Sequence, residues 1–248
     1  YAPNVSWHFP ELSFALRPKA VADLGFVALE FGFPSHADIP SLESARRSLG
    51  LEVVLFNQDV PVWDPNNRGY LVDPMRRDEF KRRLDEALDV VRRLQVRKVM
   101  LASGVEVPDL SRHTQLDCMV ENLRYAAPLA AEADVMLTIE VLNPIDNPGY
   151  FLTSPPEAAD VVMSVDHPNV RLQLDSYHLA VLGYDPADTV RRFGSIVGHL
   201  QFADHPGRHE PGTGTIDFEA LGQAAKDVGY RGFIGLEYVP LAQGAQAL

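Results

Sequence analysis

Four polar residues, Glu140, Asp175, Gln201 and Glu237, sit near the ends of four short apolar runs that follow one another along the chain: LTIEVLN, RLQLDSYH, HLQFAD and IGLEY. Three carboxylates and a carboxamide, each offered from a separate strand end, are an oxygen-only donor set of the kind a barrel fold gathers around a metal ion. Such a set points to chemistry rather than to packing.

The elements that must carry these groups are recognisable by alternation, because residues two apart on a strand share a face. Val135, Leu137, Ile139 and Val141 fall on one face of the first run, with Met136, Thr138 and Glu140 on the other. Val170, Leu172 and Leu174 oppose Arg171, Gln173 and Asp175 in the second, and Leu200 and Phe202 oppose His199 and Gln201 in the third. Glu237 lies opposite Ile234, Leu236 and Tyr238. The apolar faces predict contact with helices and the polar faces a shared interior.

Strands are predicted at 4–8, 26–31, 51–57, 98–103, 135–143, 170–177, 196–203 and 232–238. Helical patterns fall between them at 17–24, 39–49, 74–95, 115–133, 155–166, 186–194 and 217–228. Asp73 before Pro74 and Asp185 before Pro186 are caps followed by proline at the first helical position. Eight alternating strand and helix units predict a single (β/α)8 TIM barrel over residues 1–248, an α/β fold in which only VPLAQGAQAL is left for a truncated or absent last helix. Active sites of such barrels lie at the carboxyl ends of the strands, where all four polar residues fall. The long connections on that side, NQDVPVWDPNNRGYLVD and HPGRHEPGTGTID, are the expected substrate walls. In the first, Trp63, Arg68 and Tyr70 could close over a small ligand, with loop packing the alternative for Trp63 and Tyr70.

The chain's 34 acidic against 22 basic residues, a net charge of −12, argue against nucleic acid as a partner. The basic residues between Arg76 and Lys98 are interleaved with acids at helical spacing and predict a solvated, ion-paired helix face. No apolar stretch reaches the roughly 20 residues of a membrane span, and YAPNVSWHFPEL lacks a signal-peptide pattern. The chain begins at Tyr1 rather than Met, which leaves a trimmed leader open. Cys118, the lone cysteine, fits a reducing, cytoplasmic setting and predicts a small buried side chain on a helix. Oligomeric state, monomer or homo-oligomer, stays open at this level.

TIEVLN, LDSYH, HLQFADHPGRHEPGTGTIDF and GFIGLEY, with FVALEFGFP and VLFN earlier in the chain, resemble the hydroxypyruvate isomerase family of the xylose isomerase-like barrel superfamily. The resemblance covers essentially the whole chain. It implies that Glu140, Asp175, Gln201 and Glu237 bind one divalent cation and that Glu140 and Glu237 form the proton-transfer pair. It also implies a substrate-binding role for His178, three residues beyond Asp175. Many members of the superfamily carry histidine where this chain has Gln201.

Moving a carbonyl between adjacent carbons of a hydroxy-keto acid requires proton removal from carbon, and a chelated cation stabilises the charge that develops. Four oxygen ligands plus two substrate oxygens suit the octahedral preference of Mg²⁺ or Mn²⁺. A carboxylate that binds a cation is a poorer base, so His178 is a rival for proton handling. Arg208 offers a fork of donors for a substrate carboxylate, against a loop-bracing salt bridge with Glu210 or Asp204. Glu30 is expected to orient a ligand or Arg208, and Asn57, His36 and His8 are weaker candidates. The alternatives to a small hydroxy-keto acid isomerase are a ketose 3-epimerase and a barrel-type apurinic endonuclease; the latter would need a histidine-rich zinc cluster and a basic surface.

Overall fold

The computed structural model describes residues 1–58 and 68–241. Eight parallel strands follow one another round the sheet as β1 (Ala2–Pro3), β8 (Ile234–Leu236), β7 (Val197–Phe202), β6 (Val170–Asp175), β5 (Met136–Glu140), β4 (Lys98–Met100), β3 (Glu52–Asn57) and β2 (Ala28–Phe31). The two ends of this order meet through a parallel bridge between Asn4 and Glu30, with the Val5 N–H donating to the Glu30 carbonyl at 2.8 Å. The sheet is therefore a nearly closed α/β barrel of the (β/α)8 type. Around it run α1 (Arg17–Asp23), α2 (Ile39–Leu49), α3 (Arg77–Leu94), α4 (Arg112–Glu132), α5 (Pro155–Val165), α6 (Ser176–Val181), α7 (Pro186–Phe193) and α8 (Phe218–Asp227).

The caps read from sequence act as such. Asp73 accepts from Met75 N–H ahead of α3 and Asp185 from Asp188 N–H ahead of α7; Asp217, not read as a cap from sequence, accepts from Ala220 N–H ahead of α8. Along α3, Phe80, Leu84, Ala87, Leu88, Val91 and Leu94 are buried. Its outer face carries Arg76–Glu79, Arg82–Glu86 and Arg83–Glu86 pairs at 2.8, 3.0 and 3.2 Å. These basic residues neutralise their own helix, each pair contributing roughly 0.3–0.5 kcal/mol. Cys118 is buried on α4.

The strands are mostly shorter than the alternation reading, and two of the differences have a clear local cause. Residues 4–8 turn instead of extending, because Trp7 N–H and His8 N–H both donate to the Asn4 carbonyl. The sixth strand stops at Asp175, whose side chain accepts from Tyr177 N–H at 2.8 Å and so starts α6 inside the predicted strand span. Trp63 and the last seven residues, on which the expected truncation of the final helix bears, lie outside the described residues. Among the described residues no helix is long and apolar enough to cross a membrane.

The returning limb of the β3–α3 connection is pinned to the barrel mouth. Gly69 bridges Ser103, and the Leu71 and Val72 N–H groups both donate to the Ser103 carbonyl. Gly69 has φ +126°, and a Cβ there would overlap the Ala102 carbonyl oxygen, so both the dihedral and the space require glycine. Gly69→Ala is expected to lower the unfolding free energy in urea denaturation by roughly 2–4 kcal/mol, without altering the ion pairs of α3.

Candidate active site

Strand register brings the polar ends together. Glu140 ends β5, Asp175 ends β6, Gln201 is the penultimate residue of β7, and Glu237 directly follows β8. Asp175 pairs with Gln201, and Gln201 with Gly235, so these strand ends are level with one another. Glu140, Asp175, Gln201 and Glu237 are all buried. Glu140, Asp175 and His178 each offer a ligand atom within 4.8 Å of the others, a group that could hold a metal ion. A cleft of about 400 Å³ is lined by Glu140, His178 and Glu237 together with Trp7, Asn57, Arg68, Asn147 and Arg208.

Burying like charges together raises their proton affinity. Burial, then the nearby Glu237 and Asp175 charges, push the Glu140 carboxyl well above its ordinary range. Burial also lifts Asp175 to about 7, against the pull of Arg208, and raises Glu237. The Oε1 atom of Glu140 is buried without a hydrogen-bond partner. An orphaned carboxylate oxygen among oxygen donors, all short of positive charge, is what a hard divalent cation would satisfy. The residues present fit such an ion.

The structure puts Arg208 into this charge cluster. Its Nη2 donates to Asp175 Oδ2 at 3.2 Å and lies 3.4 Å from Glu237 Oε2. Its guanidinium carbon lies 4.9 and 5.4 Å from the ring centres of Trp7 and Tyr177. The loop-bracing pairs weighed from sequence are not formed. Asp204 instead accepts from the N–H groups of His205, Gly212, Gly214 and Ile216, and Glu210 accepts from Leu241 N–H. Burial pushes the Asp204 carboxyl up, but those backbone donors outweigh it and hold it below its ordinary value. Asp204 is thus the hub of the GRHEPGTGTI loop. Arg208 sits in that loop at φ 56°, a left-handed conformation costly for a long side chain and sustained by its surroundings.

His178 has a determinable tautomer. The Asn143 carboxamide oxygen accepts from Ile145 and Asp146 N–H, so its Nδ2 faces Asp146 and His178. Both Asn143 Nδ2, at 2.7 Å, and Asn143 N–H, at 3.2 Å, then donate to His178 Nδ1. A neutral ring accepting at Nδ1 carries its proton on Nε2. Burial, followed by the Arg208 charge, depresses its pKa well below the ordinary value. Although His178 lies close enough to join a metal cluster, its Nε2–H is a hydrogen-bond donor in this arrangement, not a ligand lone pair.

Glu30 is placed differently from the sequence expectation. It lies within the barrel, away from Arg208, and accepts from Asn4 Nδ2 at 3.2 Å, Gln201 Nε2 at 2.6 Å and His199 Nε2 at 2.8 Å. Burial raises its pKa to about 7. Lys98 Nζ donates to His199 Nδ1 at 3.1 Å, and Gln173 Nε2 donates to Gln201 Oε1 at 2.8 Å. Gln201 is therefore aimed by partners on both amide atoms, with a second lone pair left on Oε1. Asn57 lines the cleft, whereas His8 is buried against the Leu236 carbonyl and Tyr238, and His36 packs edge-on against Phe33. Trp7, whose Nε1 donates to Glu237 Oε1 at 3.1 Å, and Asn143 were not singled out from sequence; the indole's polar handle within an apolar segment is the signal that marks Trp7.

The chain resembles known proteins along its whole length. Residues 18–248 match the family model described as xylose isomerase-like TIM barrel. Hydroxypyruvate isomerase of Escherichia coli is 34% identical over 97% of this chain and 93% of its own length. 2-Oxo-tetronate isomerase of Pectobacterium atrosepticum is 32% identical over 97% and 92%. Among solved structures, a Brucella melitensis protein described as AP endonuclease, family 2, matches with TM-score 0.94 and 33% identity, covering 100% of this chain and 95% of that one. D-Psicose 3-epimerase of Clostridium cellulolyticum H10 matches at TM-score 0.78 and 25% identity, over 97% and 86%.

The raised carboxyls make cation-free stability depend on pH with a definite sign. A group whose folded pKa exceeds its unfolded value contributes stability at low pH that is lost as pH rises through the folded value. For Asp175 that window runs from about 4 to about 7, and the upward shift of Glu140 acts in the same sense. In chelator-treated protein, Glu140→Gln is expected to raise the midpoint of thermal unfolding at pH 8 by roughly 2–8 °C, about 1–2 kcal/mol, and by much less at pH 5. Calorimetry at both pH values checks this.

Proposed function

We propose that this chain, which belongs to the xylose isomerase-like TIM barrel family, is an isomerase of a small hydroxy-keto acid, hydroxypyruvate or its homologue 2-oxo-tetronate. The isomerase class rests on relatives that share a third of its residues over nearly the full length. The observation that supports the mechanism is that the buried, proton-hungry Glu140 and Glu237 line one cleft, with Asp175 joined to Glu237 through Arg208.

Glu140, Asp175, Gln201 and Glu237 would hold one divalent cation, and their oxygen-only set favours Mg²⁺ or Mn²⁺ over zinc. When bound, the cation supplies Lewis-acid stabilisation of negative charge on substrate oxygens. Glu140 and Glu237 exchange the proton between the two carbons. Burial raises the affinity of both groups for a proton, which opposes the loss of basicity that a bound cation would bring. His178 serves as an Nε2–H donor to a substrate oxygen: its Nδ1 is covered by Asn143, and its depressed pKa keeps the ring neutral. Arg208 offsets part of the carboxylate charge and lies where it can also reach substrate.

The description of the Brucella relative suggests a nuclease, and the features of this chain argue otherwise. Among the described residues the candidate metal cluster holds one histidine, and the chain's net charge of −12 opposes a phosphate backbone. A cytoplasmic setting accords with Cys118 as a lone buried thiol.

Incubating metal-loaded protein in deuterated water with hydroxypyruvate, 2-oxo-tetronate and neutral ketoses is expected to put deuterium beside the carbonyl of the acids. Glu140→Gln and Glu237→Gln should each lower turnover by roughly 10²–10⁴-fold. Undiminished turnover in both variants would remove the paired-carboxylate mechanism, and exchange confined to ketoses would move the assignment to the epimerase reading.

A further inference from the structure

Two arginines line the cleft, Arg68 and Arg208, and they differ in what they already hold. Arg208 is committed to the protein's own carboxylates, Asp175 and Glu237, and to the faces of Trp7 and Tyr177. Arg68 forms no ion pair among the described residues. Its Nη1 donates to Asn147 Oδ1 at 2.5 Å, a neutral acceptor, and its Nε is buried without a partner.

Arg68 is nevertheless held in place. Asn147 Nδ2 donates to the Asn143 carbonyl at 3.2 Å, which turns its Oδ1 toward the guanidinium. Asn143 is itself fixed by its contacts with Ile145, Asp146 and His178. The backbone next to Arg68 is clamped at Gly69, where only glycine fits against Ala102. The acid that lies nearest in sequence to Asn147, Asp146, is occupied by Asn143 Nδ2 and the Tyr177 hydroxyl at 2.9 and 2.8 Å. A cation that is oriented, partly desolvated and without an ion pair among the described residues carries an electrostatic cost that an anionic ligand removes. The planar fork of arginine matches a carboxylate bidentately.

We propose that Arg68 is a specificity-determining residue that takes the substrate's carboxylate, so that the cleft selects keto acids over neutral ketoses of similar size. The assignment rests on the isomerase reading for the identity of the substrate, but the anion site itself is independent of turnover. Arg68, Glu140 and Glu237 line one cleft of about 400 Å³, a scale suited to a small acid spanning them.

The test uses the metal-loaded protein and glycerate, a carboxylate of hydroxypyruvate's length with no carbonyl to isomerise, with glycerol as its neutral counterpart. By calorimetric titration, Arg68→Gln should weaken glycerate binding by roughly 10- to 100-fold. Arg68→Lys, which keeps the charge but not the fork, should recover part of the loss. For hydroxypyruvate, Arg68→Gln should raise KM by a similar factor with kcat changed only a few-fold. Glycerate affinity and KM that both stay within about two-fold of the parent would overturn the assignment while leaving the isomerase reading intact. Glycerate binding that falls with Arg68→Gln in a protein that turns over neither acid would support the anion site and sink the isomerase reading. Should Arg68→Gln fail to fold, Arg68→Lys carries the comparison: an unchanged affinity for glycerate and glycerol alike counts against a bidentate carboxylate site.

Discussion

The mutual repulsion of buried carboxylates at the barrel mouth is the constraint to which the surrounding structure answers. Glu140, Asp175 and Glu237 are all lifted by burial, Glu140 also by the charges of Glu237 and Asp175, Asp175 by that of Glu237, and Glu237 by that of Glu30, and Arg208 sets one positive charge against them. With all three ionised, three negative charges against one positive leave an excess of two, the charge of a divalent ion. Arg208 cannot drift away from the cluster. The Asp204 hub shapes its loop, two aromatic faces hold its plane, and its backbone accepts a left-handed conformation to bring it there. Strain concentrated at one residue that faces a charge cluster is expected where geometry serves function rather than stability.

A second tier of polar groups lies beneath the first, within the barrel. Lys98 donates to His199, His199 to Glu30, and Gln201 and Asn4 also donate to Glu30, so hydrogen bonds converge on one carboxylate. The direction of every bond is set because a lysine ammonium only donates and an ionised carboxylate only accepts. Thr138 donates to Gln173 and Gln173 to Gln201, which joins β5, β6 and β7 to the same network. A polar interior is tolerable only when its members are satisfied, and here the satisfaction serves to aim Gln201. Gly235 belongs to this arrangement, since a Cβ there would meet the Glu30 carboxylate oxygens at 2.5 and 2.6 Å.

Period-two alternation made the barrel legible, because it separates Leu137 and Ile139 from Thr138 and Glu140 without knowledge of neighbours. The same reasoning placed the carboxylates at strand ends, since chain position along a strand is local information. It ran the sixth strand on to residue 177, past Asp175, because a side chain that caps the next helix looks, in sequence, like any inward-facing residue. The partners of Arg208 were beyond its reach for a different reason. Asp175 is 33 residues away and Glu237 is 29, whereas Asp204 and Glu210 lie close by in sequence. Nothing local tells an arginine in a glycine-rich loop that its near acids bind backbone amides and its distant ones are its ion-pair partners. Glu30 shows the converse error. Its inward direction was readable, but its depth depends on the register slip between Leu29 and Glu30 against β3, which no periodicity displays.

The separation of roles between the two arginines follows from where each is anchored. Arg208 comes from the loop after β7 and is drawn down onto the strand-end carboxylates, so its charge is spent on the protein's own acids. Arg68 comes from the returning limb after β3 and is held at the rim by Asn147 of the β5–α5 loop. A barrel can change its rim without disturbing its floor, because the rim loops contribute little to the core while the floor is built from the strands themselves. The likeness to D-psicose 3-epimerase at TM-score 0.78 is a likeness of scaffold, and scaffold alone does not choose a substrate. What separates an acid from a neutral sugar is a positive charge left for the substrate, and the limb carrying Gly69 and Arg68 holds an arginine with no ion pair among the described residues.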